Sequence, residues 1–186
     1  MKIEADLHMH TVASGHAYST VNEMALAAAD RGLKLIAITD HGPAMPGGPH
    51  IYHFGNMKVL PECMYGVRVL KGIEANIMSD GNLDIDQERI ELLEFIAAGI
   101  HYDAAYDNKT AAEHTAATIK AIENPAVKMI THPANLYYHI DLVSVVQAAA
   151  ENDVILEINA SSFDKHRLNK RGNLDLTVEM CVLAKE

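Results

Sequence analysis

Short apolar segments alternate along the chain with longer segments in which apolar residues recur every three or four positions. The short segments are nearly continuous runs of Ile, Leu, Val and Ala, which is typical of strands buried on both faces of a parallel sheet. Strands that alternate with helices in this way predict an α/β fold, either a doubly wound sheet or a barrel. Six strands are predicted, at residues 2–9, 33–39, 67–73, 94–100, 127–131 and 154–158.

The longer segments predict helices, and the first of them carries signals at both ends. Thr20-Val21-Asn22-Glu23 has the sequence of a capping box, and Gly32 suits the C-terminal end of the helix. Residues 42–65 are rich in Gly and Pro at their start and are predicted to form a long loop that carries a short helix. Further helices are predicted at about 86–93, 110–122, 141–152 and 173–185.

Composition and charge narrow the classes of function. The 186 residues suit one domain, 1–186, and the formal net charge of −10 argues against a nucleic-acid-binding protein. The charge does not exclude a phosphorylated substrate, because bound cations can reverse the local sign of a site. Cys63 and Cys181 form no CxxC pattern and fit a reducing compartment. With no leader and no apolar run long enough for a bilayer, we expect a cytoplasmic protein.

Histidine is the unusual feature of the composition. The chain has 11 histidines, where ordinary usage of roughly 2% would give about four. Both α/β architectures place their active sites beyond the carboxyl ends of the strands. The pattern predicts a site for several divalent cations, because five consecutive predicted strands end in a side chain that can bind a metal ion. These side chains are His8 and His10, His41, Glu74, His101, and His132.

The first predicted strand ends in His8-Met9-His10. Residues i and i+2 of a strand point to the same face, so both imidazoles can reach one ion while Met9 packs on the opposite side. His16 follows closely, although a histidine cluster at the surface is the alternative explanation. Glu74 adds a carboxylate that can bridge two metal ions about 3.5–4 Å apart, the arrangement used for in-line hydrolysis.

Some polar residues near these strand ends have more than one explanation. Asp6 and Asp40 lie just before candidate ligands and could orient imidazoles through hydrogen bonds, or could simply cap strand ends and turns. His50 and His53 lie in the long loop and are expected to line the rim of the site.

Three basic residues follow the sixth predicted strand. Lys165, His166 and Arg167 are predicted to contact the phosphate group of a substrate, and a solvated basic loop is the alternative. His114 is predicted to lie on the outer surface of its helix, and no role is assigned to His139.

A set of motifs that covers essentially the whole chain resembles the PHP (polymerase and histidinol phosphatase) superfamily. In order, the motifs are DLHMHTVASGHAYS, ITDHGP, GIEANI, AGIHYD, THPAN and EINASSF. They are most similar to the branch of stand-alone bacterial phosphatases of the YcdX type. The resemblance implies a distorted (β/α)7 barrel with three metal ions, with zinc as the expected metal and manganese or iron as alternatives.

Carried over to this sequence, the resemblance assigns ligands to three divalent ions. A metal-activated hydroxide would hydrolyse a small phosphorylated metabolite, and the catalytic residues would be Glu74, His10 and His132. The first ion would be held by His8, His10 and Glu74, the second by Glu74, His101 and His132, and the third by His16 and His41.

In one respect the sequence departs from the family pattern. The family has a seventh strand that ends in an Asp-x-His pair, and no such strand follows the helix predicted at 173–185. About six βα units are therefore expected, and the chain is predicted to be a C-terminally truncated domain. A strand supplied by a partner and a degenerate, weakly active protein are the alternatives. If these residues are the entire protein, fewer than three well-occupied metal sites are expected.

Other functions stay open on the sequence alone. The main alternatives are a non-catalytic or weakly active metal-binding protein and a nuclease or proofreading module of the same superfamily. An amidohydrolase-like deaminase is a remoter one. The expected partner is a small phosphorylated substrate, without nucleic acid or membrane, and a homo-oligomer is compatible with the sequence.

Overall fold

The computed structural model describes residues 2–163 and 173–185 of the chain. The strands in this part of the chain are β1 (Ala5–Met9), β2 (Leu35–Ile38), β3 (Cys63–Met64), β4 (Val67–Asn76), β5 (Phe95–Gly99), β6 (Val127–Ile130) and β7 (Ile155–Leu156). The α-helices are α1 (Val21–Asp30), α2 (Tyr52–Asn56), α3 (Gln87–Ile90), α4 (Ala111–Ile122), α5 (Leu142–Glu151) and α6 (Asn173–Leu183).

The prediction of an α/β fold is confirmed, since all six predicted strands are present with helices between them. The predicted capping box is also present at the start of α1. The Thr20 hydroxyl accepts from the Glu23 N–H at 3.3 Å, and the Glu23 carboxylate accepts from the Thr20 N–H at 2.7 Å. Gly32 has a φ of +72°, a left-handed conformation that a glycine adopts without strain at a helix end.

Two elements differ from the sequence-based prediction. The two residues of β3 are too few to produce an apolar pattern, and they pair with β4 through a tight turn at Tyr65 and Gly66. Both turn residues have positive φ, 53° and 79°, as the favoured two-residue hairpin turn requires. Helix α3 is shorter than predicted because the chain turns into β5, where the Glu94 N–H donates to Lys71 O at 2.8 Å.

The chain forms two compact units, of which the first contains the residues up to Asn76 together with Asp84–Ala97. Its strands lie in the order β1-β2-β4, followed by the first residues of β5. β1 pairs in parallel with β2, and β2 in parallel with β4. Fully buried side chains such as Ile36, Ile38 and Ile73 form the core. Because the strands are parallel, their carboxyl ends lie at the same edge of the sheet.

The second unit contains Ile77–Leu83 and the residues from Ala98 onward. Its strands are the end of β5, then β6 and β7, and β6 pairs in parallel with β7. The Thr131 N–H donates to Ala98 O at 2.9 Å, just beyond the end of β6. Helix α5 packs against α4 and α6. His101 follows the end of β5, and His132 follows the end of β6.

No helix in the described part of the chain is long and apolar enough to cross a membrane. Cys63 and Cys181 are both free and exposed.

Candidate metal centre

Glu74 lies at the centre of the first group of candidate ligands. It is fully buried near the end of β4, and its Oε2 lies 2.9 Å from His41 Nδ1, 3.2 Å from His8 Nε2 and 3.3 Å from His10 Nε2. Backbone pairing fixes this arrangement, because the Glu74 N–H donates to Asp40 O at 3.0 Å and the Gly42 N–H donates to Glu74 O at 2.8 Å. The end of β2 is thus aligned with the end of β4.

His8 and His10 have the relation that the strand periodicity predicts. Their Nε2 atoms lie 3.1 Å apart, and Met9 between them is buried, with 7% of its surface exposed. Together with Glu74, they offer three ligand atoms that all lie within 4.8 Å of one another. The structure therefore brings together the three residues assigned to the first ion.

A second group in the same unit consists of His10, His16 and His41. Their ligand atoms also lie within 4.8 Å of one another, and the centroids of the His10 and His41 rings are 4.3 Å apart. His16 returns to this position because the chain turns sharply at Gly15, whose φ is +73°. A Cβ atom at Gly15 would lie 2.5 Å from Gly47 O, so no other residue fits there without rearrangement. His10 is the residue that the two groups share.

Burial changes the protonation of His41. Removal from water lowers the pKa of its imidazole, as do the neighbouring His10 and His16, and the opposing attraction of Glu74 does not outweigh these effects. The neutral imidazole is the form that binds a metal ion. His41 is therefore in its ligating form at neutral pH.

Asp40 and Asp6 differ in their contacts. Asp40 is fully buried and accepts hydrogen bonds from the Ser14 hydroxyl at 2.6 Å and from the N–H and hydroxyl of Thr11 at 2.7 and 2.8 Å. Burial alone would raise its pKa, but the hydrogen bonds from His53, Ser14 and Thr11 lower the pKa to about 2. Asp6 is exposed and accepts from the backbone N–H of His8 at 3.2 Å, which is local strand-end capping.

His101 and His132 form a pair in the second unit, with their Nε2 atoms 3.2 Å apart. His132 has a φ of +38°, which is strained for a residue other than glycine, and its N–H donates to Glu157 Oε2 at 2.7 Å. Such strain is characteristic of functional positions, where surrounding contacts hold it. The bridge that the resemblance implies from Glu74 to this pair stays a prediction.

The distances suit a metal ion bound by imidazoles. Around a tetrahedral zinc ion with Zn–N bonds of about 2.0–2.1 Å, two ligand nitrogens lie roughly 3.3 Å apart. The Nε2 atoms of His8 and His10 are separated by 3.1 Å, and those of His101 and His132 by 3.2 Å. The donor set of neutral imidazoles and a carboxylate is also one that zinc, iron and manganese accept.

The remaining candidate residues are placed as follows. His53 Nε2 lies 3.5 Å from Asp40 Oδ2, whereas His50 and His139 are exposed. The predicted phosphate contacts, Lys165, His166 and Arg167, lie outside the residues that the structure describes.

The prediction for His114 is wrong, because this residue is buried, with 2% of its surface exposed. Its Nδ1 lies 3.0 Å from the Tyr106 hydroxyl and its Nε2 lies 3.2 Å from the Tyr102 hydroxyl. His114 belongs to the buried stripe of α4 with Ala117, Thr118, Ala121 and Ile122. This i, i+3, i+4, i+7, i+8 spacing is the sequence signal that could have placed it.

Replacing His114 by Ala is expected to destabilise the fold without affecting metal binding. The change leaves a cavity and two tyrosine hydroxyls without their imidazole partner, which should lower the free energy of unfolding by about 2–4 kcal/mol. Denaturant unfolding of the metal-free protein measures this loss, and elemental analysis measures zinc content, with exposed His139→Ala as the control. A loss of zinc at unchanged stability would instead make His114 a ligand.

The sequence-based predictions assigned no role to three residues that support the candidate ligands: Ser14, Asp84 and Glu157. Asp84 accepts from the Ala44 N–H at 2.8 Å and from the Asn76 N–H at 2.7 Å, which ties the loop after His41 to the end of β4. Burial raises the pKa of Asp84, although these hydrogen bonds oppose the shift. Such contacts join residues that are distant in sequence, so no local sequence pattern predicts them.

Comparison with known proteins identifies relatives over most of the chain. A model of the PHP domain family matches residues 6–166. A probable phosphatase of Acetivibrio thermocellus is 51% identical over 164 residues, and one of Caldanaerobacter subterraneus is 48% identical over 164 residues. Each alignment covers 88% of this chain, but 68% and 65% of the two relatives. The chain thus spans about two thirds of the length of these curated relatives.

The fold is similar to that of a solved structure, the histidinol phosphate phosphatase of Lactococcus lactis complexed with zinc, L-histidinol and phosphate. The TM-score is 0.58 over 97% of this chain and 82% of the other, at 16% sequence identity, so the similarity is one of fold. Family membership is instead shown by sequence, through the match to the family model and the similarity to the two relatives. The chain belongs to the PHP domain family.

Proposed function

We propose that this chain is a metal-dependent phosphatase that hydrolyses a small phosphorylated metabolite. The observation that carries the proposal is the convergence of three imidazole nitrogens on one buried carboxylate oxygen of Glu74, all within 3.3 Å. Membership of the PHP family and the probable phosphatases among its relatives support ester hydrolysis as the chemistry.

We propose zinc as the resident metal, with up to three ions per chain and with manganese or iron as alternatives. The zinc complex of the Lactococcus lactis protein supports this choice. When bound, divalent cations would lower the pKa of a water molecule and offset the negative charge of the phosphoryl group. The proposed ligands are His8, His10 and Glu74 for the first ion, Glu74, His101 and His132 for the second, and His16 and His41 for the third.

The residues of the chain contribute in different ways to this proposed site. Glu74 supplies buried negative charge to offset the cations, and His10 supplies the Nε2 atom that lies 3.3 Å from Glu74 Oε2. With His132, they are the proposed catalytic residues. Contact with the phosphate group is proposed for the basic residues after β7, which are Lys165, His166 and Arg167.

We propose a small molecule rather than a nucleic acid as the substrate, because the chain carries a net charge of −10. A cytoplasmic location is proposed as well, and the two free cysteines support it. A single hydrolase domain over residues 1–186 and a homo-oligomeric assembly are further proposals.

The test is the release of phosphate from a chromogenic monoester, p-nitrophenyl phosphate, by the purified chain. We expect release that requires zinc, stops when a chelator removes the metal and returns when zinc is added. Zinc binding without phosphate release would contradict the proposal and favour a non-catalytic metal-binding protein. Degradation of single-stranded DNA in place of the monoester would favour the nuclease alternative.

A further inference from the structure

Ser14 lies at the centre of the second histidine group and has only 1% of its surface exposed. Its hydroxyl oxygen lies 2.6 Å from Asp40 Oδ1, 3.2 Å from His10 Nδ1 and 3.0 Å from the backbone nitrogen of His41. Its backbone oxygen lies 3.2 Å from His16 Nδ1. One buried serine therefore contacts all three histidines of this group.

The donors and acceptors around the Ser14 hydroxyl can be assigned completely. A hydroxyl donates one hydrogen and accepts with two lone pairs. The backbone N–H of His41 can only donate, so it occupies one lone pair. The carboxylate of Asp40 can only accept and makes the shortest contact, so it receives the hydrogen. The second lone pair is left for His10, whose Nδ1 must therefore carry a hydrogen.

We propose that Ser14, oriented by Asp40, is a positioning residue that holds His10 in its Nδ1–H form and so keeps the Nε2 lone pair available to a metal ion. A neutral imidazole has one N–H and one bare nitrogen, so fixing the first decides the second. Nε2 is the atom of His10 that lies 3.1 Å from His8 Nε2 and 3.3 Å from Glu74 Oε2. The inference rests on the proposed function in taking these atoms as metal ligands.

Asp40 is itself held from the other side by Thr11. The N–H and the hydroxyl of Thr11 donate to Oδ1 and Oδ2 of Asp40 at 2.7 and 2.8 Å. Asp40 thus acts on His10 through Ser14, although its neighbour in the sequence is His41.

The backbone carbonyl of Ser14 favours the same tautomer in His16. A carbonyl oxygen can only accept, so the contact between Ser14 O and His16 Nδ1 also places a hydrogen on Nδ1. In their neutral forms, both histidines then have a bare Nε2. Contacts of this kind raise the affinity of imidazole ligands by fixing their tautomer and ring orientation.

The test compares wild type with Ser14→Ala in the full chain. The matched control is Ser144→Ala, because Ser144 also donates to a carboxylate at 2.6 Å, that of Asp141, but at the start of α5. Nitrogen-15 spectra of the metal-free protein, at a pH where imidazoles are neutral, report which nitrogen of His10 carries the hydrogen. The His10 signals are identified by their absence from His10→Ala. Zinc affinity is measured by competition with a chelating dye.

In wild type and Ser144→Ala we expect His10 to be in the Nδ1–H form. In Ser14→Ala we expect the Nε2–H form to become populated and zinc affinity to fall by roughly 10- to 100-fold, the usual loss when a hydrogen-bond partner of a metal ligand is removed. Affinity that falls with the tautomer unchanged would overturn the proposal, since Ser14 would then act only on packing. An Nε2–H form in the wild-type spectrum would overturn it without any variant, even if Ser14→Ala does not fold.

Failure of the proposed function gives a different result. If the chain releases no phosphate but shows the expected tautomers and zinc affinities, phosphatase activity is refuted and the role of Ser14 stands. If Ser14→Ala releases phosphate at the wild-type rate and binds zinc with the wild-type affinity, the role of Ser14 is refuted and the phosphatase activity stands.

Discussion

Replacing Glu74 by Gln is expected to remove tightly bound zinc and to lower phosphate release by roughly 100-fold or more, because the neutral amide cannot offset the charge of two neighbouring cations. Three imidazole nitrogens lie within 3.3 Å of the carboxylate oxygen that the change neutralises. Elemental analysis of dialysed protein and the monoester assay measure the two effects. Glu62→Gln is the control, since Glu62 is an exposed glutamate of the same unit.

The stability of the Glu74→Gln protein separates loss of metal from loss of fold. Glu74 is fully buried, and a buried charge is costly when no cation offsets it. In the presence of a chelator, we therefore expect the free energy of unfolding of Glu74→Gln to equal or exceed that of wild type. Retention of full zinc content by a folded Glu74→Gln protein would refute the role of this carboxylate as a ligand.

The second large effect is expected from His10→Ala, which should lose more zinc than His16→Ala. His10 is the proposed ligand of the first ion through its Nε2, and its ring also packs against the two proposed ligands of the third ion, with centroids 4.9 Å from His16 and 4.3 Å from His41. Removing His10 should therefore take a ligand from the first site and loosen the packing of the third, and we expect phosphate release to fall by roughly 100-fold. Zinc equivalents per chain and initial rates, measured side by side, test the order of the two variants.

The control for both histidine variants is His139→Ala, because His139 is exposed and has no predicted role. It should keep the zinc content and rate of wild type. Equal losses of zinc from His10→Ala and His16→Ala would contradict an effect of His10 on both the first and the third site. A loss confined to His16→Ala would refute the assignment of His10 as a ligand altogether.

Much of the fold and of the candidate site could be predicted from the sequence. Parallel strands buried on both faces produce continuous apolar runs, and these runs located six strands. The alternation of side chains along a strand placed His8 and His10 on one face with Met9 opposite, as the structure has them. The Thr20 capping box was predictable for a similar reason, since its partners are three residues apart.

Other features depended on contacts that no local period encodes. For His114, the spacing along α4 indicates the buried side, but not that its imidazole meets the hydroxyls of Tyr102 and Tyr106. Asp40 was predictable as a hydrogen-bond acceptor near the ligands, but not as one that reaches His10 by way of Ser14, 26 residues earlier. The link from His132 to Glu157 spans 25 residues in the same manner.

By itself, the sequence determined the positions of six strands along the chain, the chemistry of the strand ends and the family, because each of these is carried by local periodicity or by ordered motifs. The tertiary structure alone decided which donor meets which acceptor. Glu74 is surrounded by three imidazoles, and Ser14 is joined to three histidines, because parallel pairing aligns the ends of separate strands and a turn at Gly15 brings His16 back to them. The direction of each hydrogen bond, and with it the tautomer of His10, exists only once those groups are in place.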